Sequence, residues 1–96
     1  MGIQQNVGEL CATLTIANQR GLHARAAAKF VKLVESFAVE ITVTKDEMKV
    51  SGRSIMGLMM LAATLGSTIK ICAVGDDAAA ALESLGDLVK RKFDEE

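Results

Sequence analysis

Residues 21–28 read Gly21-Leu22-His23-Ala24-Arg25-Ala26-Ala27-Ala28, and this stretch contains the only histidine of the chain. Before it, residues 9 to 17 alternate polar and apolar side chains, which predicts a β-strand with one face in a core. After it, apolar side chains recur at helical spacing from Ala24 to about Ser36. The sequence therefore places His23 near the N-cap of a helix, where unpaired backbone N–H groups and the helix dipole favour an anion.

The other predicted elements follow from the same two periodicities and from turn and cap residues. They are a hairpin of strands at residues 39–44 and 48–50, a short helix at 55–61 capped by Ser54, a strand at 67–74 and a last helix from 78 to about 92. Residues 1–8 are predicted to be a flexible lead-in, which leaves residues 9–96 as one small domain. The order β-α-β-β-α-β-α predicts an α+β two-layer sandwich with helices on one face of a single sheet.

The composition of the 96 residues argues against several classes of partner. The net charge is −1 and there is no Trp or Tyr, so the chain lacks both a basic surface for phosphate backbones and the usual stacking platforms for nucleic acid. No apolar run approaches the roughly 18 residues of a membrane span. We therefore expect a cytoplasmic protein that binds neither nucleic acid nor membrane and recognises its partners through local patches.

Two cysteines, Cys11 and Cys72, are far apart in the sequence. Neither belongs to a metal-ligand spacing or to a CxxC motif, and a single histidine does not make a metal site. We interpret both as reduced packing residues and predict neither a metal nor another cofactor.

A histidine at a helix start is more often a capping or solvated side chain than a functional group. No Ser or Cys stands at short range for which His23 could act as a base, so the functional interpretation that remains is His23 as the nucleophile, in its neutral form. Arg25 then becomes a candidate phosphate ligand, because a guanidinium donates in a fork that matches phosphate oxygens. Lys29 and Lys32 share the face of Arg25, and this basic stripe is either the solvated side of the helix or a docking surface for an acidic partner.

A second candidate region begins at Ser54. Its simplest interpretation is an N-cap, whereas phosphorylation there would add about two negative charges to a helix start. The apolar residues that follow exceed what a short helix over a small sheet requires: Ile55, Met56, Met59 and Met60. Such a face is either core or an adaptable docking surface.

Two motifs together resemble those of a known family. Gly21-Leu22-His23-Ala24-Arg25 is similar to the active-site motif of the histidine-containing phosphocarrier protein HPr of the bacterial phosphotransferase system. Ser54-Ile55-Met56-Gly57-Leu58-Met59 is similar to the regulatory-serine motif of that family, and the resemblance extends over about residues 9 to 93. It implies an open-faced two-layer sandwich in which three helices cover a four-stranded antiparallel sheet.

The resemblance also implies a function. Enzyme I, charged by phosphoenolpyruvate, would phosphorylate Nδ1 of His23, and the chain would pass the group to an enzyme IIA as a protein substrate rather than as an enzyme. Arg25 would neutralise phosphate charge, and the backbone N–H groups of Ala24 and Arg25 would hold the phosphate oxygens. A monomer would suit a carrier that must expose one face twice.

The second motif carries further implications. Ser54 would be the target of an HPr kinase/phosphorylase, and its phosphate would repel an acidic partner surface. Ile55, Met56 and Met59 would belong to the surface on which partners dock.

One residue departs from the family pattern, since Ala26 stands where the family usually has Pro in the first turn of the helix. Ala is a good helix former, so we expect the helix to form, with one more backbone donor and a looser entry geometry. Three alternatives stay open: a regulatory, nitrogen-type relay, a binding module for a transcription regulator that depends on Ser54 phosphorylation, and a phosphate-ester hydrolase. The hydrolase would need a second catalytic group near Arg25, and the motif supplies none besides His23.

Overall fold

A computed structural model describes residues 9–95 as four strands and three helices. The strands are β1 (Glu9–Thr15), β2 (Glu40–Lys45), β3 (Met48–Ser51) and β4 (Thr68–Val74), and the helices are α1 (Ala24–Val34), α2 (Ile55–Met60) and α3 (Ala78–Lys90). A short 3-10 turn, Lys92–Asp94, follows α3 and is called the C-terminal turn below. The predicted element order is confirmed within these residues, and the lead-in predicted for residues 1–8 lies outside them.

The strands form one antiparallel sheet in the order β1-β4-β2-β3. In β4, Ile69, Ile71 and Ala73 are buried while the residues between them point to the open face, as the two-residue period of a strand requires. α3 packs on β1 and β4, and α1 contacts both α2 and α3. The predicted open-faced sandwich, with three helices over a four-stranded antiparallel sheet, is therefore confirmed.

The core between sheet and helices is aliphatic apart from Phe30 of α1 and Phe93 of the C-terminal turn, both fully buried. Each such side chain stabilises the fold by about 1.5–3 kcal/mol relative to an exposed one. The buried stripe of α1 includes Ala27, Val31 and Val34, which follow the helical spacing of apolar residues that the sequence predicts here. No helix in residues 9–95 has the length and apolar character needed to cross a membrane.

The interpretation of the two cysteines as reduced packing residues is wrong. Cys11 of β1 and Cys72 of β4 are direct cross-strand partners, and their sulfur atoms form a disulfide on the open face of the sheet. The pairing depends on the register of two strands that are 61 residues apart, which no spacing in the sequence reveals. Glu9 lies beside them in a cluster of metal-ligand composition, but the disulfide leaves no thiolate there to bind a metal.

The chain leaves the last helix at Lys90 rather than near Lys92. Lys92, Phe93 and Asp94 have left-handed backbone, with φ of 60°, 56° and 63°. This region is unfavourable for residues with a Cβ, and burial of the Phe93 side chain offsets part of that cost. Lys29 of α1 also holds the turn, since its Nζ donates to the carbonyl oxygen of Phe93 at 2.8 Å. The predicted helix end, near residue 92, is therefore too late, because a tertiary contact rather than a local sequence pattern ends the helix.

Candidate functional site

The connection between β1 and α1 fixes the position of His23. Gly21 has a φ of 65°, a left-handed value that glycine adopts without strain. A Cβ at this position would collide with the carbonyl oxygen of Ala63, which accepts the N–H of Leu22 at 2.9 Å. Glycine therefore allows the loop before His23 to lie directly against the segment that follows α2.

His23 is the N-cap of α1, as the sequence predicts. Its backbone is extended, and its ring nitrogen Nδ1 accepts the N–H of Arg25 at 3.3 Å. An N-cap side chain satisfies one of the unpaired donors of the first helical turn in the same way. Since a backbone N–H can only donate, Nδ1 presents a lone pair and no proton in this arrangement.

The other ring nitrogen, Nε2, contacts one carboxylate oxygen of Glu95. The second oxygen accepts from Nδ2 of Asn18 at 3.0 Å, and the same Nδ2 donates to the carbonyl oxygen of Gly21 at 2.9 Å. The hydrogen bonds from His23 and from Asn18 lower the pKa of Glu95, so this group is a carboxylate at neutral pH. A carboxylate has no proton to donate, which assigns the ring proton to Nε2.

The start of α1 presents further backbone donors. Within residues 9–95, no group accepts the N–H of Ala24 or of Ala26, whereas the N–H of Arg25 is directed to the ring. The helix forms with Ala26 in its first turn, as expected, and Ala26 supplies an N–H that a proline would lack. The side chain of Arg25 is exposed beside these donors. A nucleophilic nitrogen in this setting can attack an electrophile that carries negative charge, such as a phosphoryl group.

The basic residues of α1 differ in their surroundings. Arg25 and Lys32 are exposed, whereas Lys29 is half-buried and donates to Phe93. The stripe is therefore not a uniformly solvated face. Lys29 holds the C-terminal turn, and Arg25 and Lys32 are the two cations of the stripe that a partner can reach.

Ser54 is the N-cap of α2, as predicted, and its Oγ accepts the N–H of Gly57 at 2.9 Å. Only Leu58 of this helix is buried. The exposed fractions of the remaining apolar side chains are 40% for Ile55, 71% for Met56, 41% for Met59 and 64% for Met60. A core role for these four residues is thus excluded, and they form an apolar surface on a helix that contacts α1.

Two residues at His23 are absent from the sequence-based prediction. Asn18 is only 1% exposed, although the sequence places it in a polar loop, and its Oδ1 has no partner among residues 9–95. Glu95 lies 72 residues from His23 in a charged segment and reaches the ring because the C-terminal turn reverses the chain. No local pattern marks either residue. A phosphate-ester hydrolase would need a second catalytic group near Arg25, and Glu95 is a carboxylate of the required type. Both of its oxygens, however, are already hydrogen-bonded, to His23 and to Asn18, so neither is free to activate a water.

Known proteins resemble this chain in sequence over most of the residues that the structure describes. The model of the PTS-HPr family, described as the PTS HPr component phosphorylation site, matches residues 10–91. Phosphocarrier protein NPr of Shewanella violacea is 48% identical over 82 residues, which cover 85% of this chain and 90% of the relative. Phosphocarrier protein HPr of Neisseria meningitidis is 46% identical over 83 residues, which cover 86% of this chain and 93% of the relative.

Solved structures share the fold. The crystal structure of HPr-C-His from Thermoanaerobacter tengcongensis matches with a TM-score of 0.86 at 45% identity, covering 91% of this chain and 98% of that one. An HPr dimer from the same organism matches with a TM-score of 0.72 at 45% identity, covering 88% of this chain and 97% of that one. With a family model that spans most of its length and relatives of this similarity, the chain belongs to the PTS HPr family and is a phosphocarrier protein of the phosphotransferase system.

Proposed function

We propose that the chain carries a phosphoryl group on Nδ1 of His23, accepts it from phosphoenolpyruvate-charged enzyme I and passes it to an enzyme IIA. The observation that carries this proposal is the hydrogen bonding of the ring. Nδ1 accepts from the backbone of Arg25, while Nε2 is bound by Glu95. The lone pair that can attack phosphorus is therefore the one directed at the start of α1. The chain is the substrate of its partner enzymes, and each complex positions the reacting groups.

The start of α1 supports a phosphoryl group at this position. The N–H of Ala24 has no partner within residues 9–95, and the N–H of Arg25 can turn from Nδ1 to a phosphate oxygen once Nδ1 is phosphorylated. Ala26 adds a third backbone donor. The exposed guanidinium of Arg25 neutralises charge through a fork of N–H groups. We expect Arg25→Ala to slow phosphoryl acceptance by about 10- to 100-fold, the range for loss of one charged hydrogen bond.

Partners dock on Ile55, Met56 and Met59 of the apolar surface of α2 and on the exposed cations of α1. Methionine side chains adapt to different surfaces, which suits a protein that must bind a donor and an acceptor with the same face. The exposed Arg25 and Lys32 favour an acidic partner surface. Because one chain carries the phosphoryl group in each transfer, we propose a monomer that works in the cytoplasm.

Ser54 is the proposed regulatory site, modified by an HPr kinase/phosphorylase. A phosphate on its Oγ would place about two negative charges at the start of α2, beside the docking surface. Asp and Asn are both good N-caps and differ little in size, so they separate charge from capping. We expect Ser54→Asp to slow phosphoryl transfer from enzyme I and Ser54→Asn to leave it close to wild type. Equal rates for the two variants would overturn the regulatory proposal.

A nitrogen-type regulatory relay is the second candidate, because the NPr relative is as similar to this chain as the HPr relative. Both candidates use His23 in the same way and differ in the acceptor. To decide between them, the phosphorylated chain is mixed with a sugar-specific IIA and, in a separate reaction, with a nitrogen-type IIA, and the rate of phosphoryl transfer is measured in each. The faster acceptor identifies the branch.

The experiment that tests phosphoryl transfer is intact mass after incubation with phosphoenolpyruvate, Mg²⁺ and enzyme I. Wild type is expected to gain one phosphoryl group that mild acid removes, and His23→Ala is expected to gain none. Lys70→Ala is the control for truncation of a side chain outside the site, because Lys70 is exposed on the open face of the sheet, away from the helices, and it should gain one phosphoryl group like wild type. If wild type gains no mass with several enzyme I sources, the binding module that depends on Ser54 replaces the relay.

A further inference from the structure

Glu95 connects the C-terminal turn to the loop after β1 and to the start of α1, which precede it by 77 and 72 residues. One of its oxygens contacts Nε2 of His23 at the start of α1, and the other accepts from Nδ2 of Asn18 in the loop after β1. Nδ2 of Asn18 also donates to the carbonyl oxygen of Gly21, within the loop that carries His23. The carboxylate therefore ties the ring to the loop that presents it.

The hydrogen bonding requires a carboxylate at this position. Both groups directed at Glu95, the ring Nε2–H and the amide of Asn18, are donors, so each needs an acceptor oxygen. A carboxylate offers two acceptors, whereas the amide of a glutamine offers one acceptor and one donor. Glutamine can therefore satisfy only one of the two partners, although it has nearly the same size.

We propose that Glu95 is a positioning residue for the phosphocarrier reaction: it holds the proton of His23 on Nε2, fixes the ring plane and leaves the Nδ1 lone pair directed at the incoming phosphorus. This inference rests on the proposed function of His23. Both ring nitrogens have a partner, since Nδ1 accepts from the N–H of Arg25 and Nε2 donates to Glu95. Together these contacts select one tautomer and one orientation of the ring.

The charge of Glu95 also acts during the reaction. The Nδ1 lone pair forms the N–P bond while the bond from phosphorus to the donor's leaving atom breaks, and its electron pair stays with the donor. The imidazole keeps its Nε2 proton and becomes positively charged as the new bond forms. A carboxylate in contact with Nε2–H stabilises that developing charge, as the acidic member of a catalytic triad does for its histidine.

Glu95 can serve in this way because the C-terminal turn is held in place. Phe93, two residues earlier, is fully buried, and its carbonyl oxygen accepts from Nζ of Lys29. The guanidinium of Arg20 also faces Glu95 and favours its ionised form. The carboxylate is thus presented by anchored backbone rather than by a chain end that must be ordered each time.

The test uses Glu95→Gln and Glu95→Ala, with Asp94→Asn as the matched control. Asp94 is the adjacent acidic residue, and its carboxylate pairs with Arg91 on the exposed side of the turn. Nitrogen-15 NMR of the unphosphorylated chain reads the ring directly, because His23 is the only histidine. At about pH 8.5, where an imidazole is neutral, wild type and Asp94→Asn should show a protonated Nε2 that exchanges slowly with water. In Glu95→Ala the proton should be shared between the two nitrogens and exchange quickly.

Phosphoryl acceptance from enzyme I is the second measurement. We expect Glu95→Gln and Glu95→Ala to slow it by about 10- to 100-fold, the range for one charged hydrogen bond, and Asp94→Asn to leave it unchanged. Wild-type rates in both Glu95 variants, or ring spectra identical to wild type, would overturn the role of Glu95. If wild type itself accepts no phosphoryl group, the proposed function of His23 fails instead, and the ring spectra still show whether Glu95 fixes the tautomer.

Discussion

Reduction of the disulfide between Cys11 and Cys72 is expected to destabilise the fold while leaving the site at His23 intact. The cross-link joins β1 to β4 across 61 residues of sequence, and this loop length sets the size of the effect. In the chain-entropy model, such a cross-link removes about 4 kcal/mol of conformational freedom from the unfolded chain. A domain of this size is stable by roughly 5–15 kcal/mol in total, so the reduced protein should remain folded with a clearly smaller margin.

Denaturant titration with and without a reductant measures this difference as a free energy of unfolding. The double variant Cys11→Ala/Cys72→Ala is the control, because it should match the reduced wild type and should not respond to the reductant. Both sulfurs lie on the open face of the sheet, opposite the helices, so phosphoryl acceptance at His23 should be the same in the oxidised and reduced forms. A reducing compartment keeps most thiols unpaired, so the distance between the disulfide and His23 would let the chain act there with both cysteines reduced.

Two results would contradict the reasoning. Thiol labelling of the unreduced protein that finds two free cysteines would show that the cross-strand pair does not form the disulfide. A disulfide that forms but changes stability by less than about 1 kcal/mol would show that the unfolded chain gains little freedom on reduction.

Three further perturbations test individual parts of the account. Phe93→Ala should lower the free energy of unfolding by about 3–5 kcal/mol, because it empties a fully buried site. Phe93→Leu should lower it by less. A small effect of Phe93→Ala would mean that the C-terminal turn is not docked. Ser54→Ala should cost about 1 kcal/mol by removing the cap on Gly57, and Ser54→Asn should restore it in the same thermal-unfolding assay. The difference in folding stability between wild type and Glu95→Gln should be present at neutral pH and disappear on acidification. The folded state lowers the pKa of Glu95. The contribution of Glu95 to folding stability is therefore complete above the ordinary glutamate pKa and is lost as the pH falls through the lowered value. A difference that persists at pH values well below the lowered pKa of Glu95 would contradict that sign.

Much of the fold could be predicted from local pattern, because each element repeats its own period. The alternation in β1 and β4 and the apolar stripe of α1 identify the faces that pack together. The caps at His23 and Ser54 are also local features, since each side chain bonds a backbone N–H two or three residues away. These are the interactions that a short window of sequence contains.

The rest of the site depends on contacts between distant residues. Glu95 reaches His23 only because Phe93 is buried and the backbone before Glu95 turns left-handed, a conformation that no propensity favours for these residues. Asn18 resembles any polar loop residue until its amide is seen to bridge Gly21 and Glu95. The cysteine pair has the same origin, because its partners are set by the register of β1 against β4. A single sequence carries no signal for these pairings.

The most direct test of the central claim is nitrogen-15 and phosphorus-31 NMR of the chain after phosphorylation by enzyme I. His23 is the only histidine, so the imidazole signals need no assignment by mutation. We predict one phosphoryl group bonded to Nδ1, with the proton retained on Nε2. A phosphoryl group on Nε2, or on a residue other than His23, would contradict it.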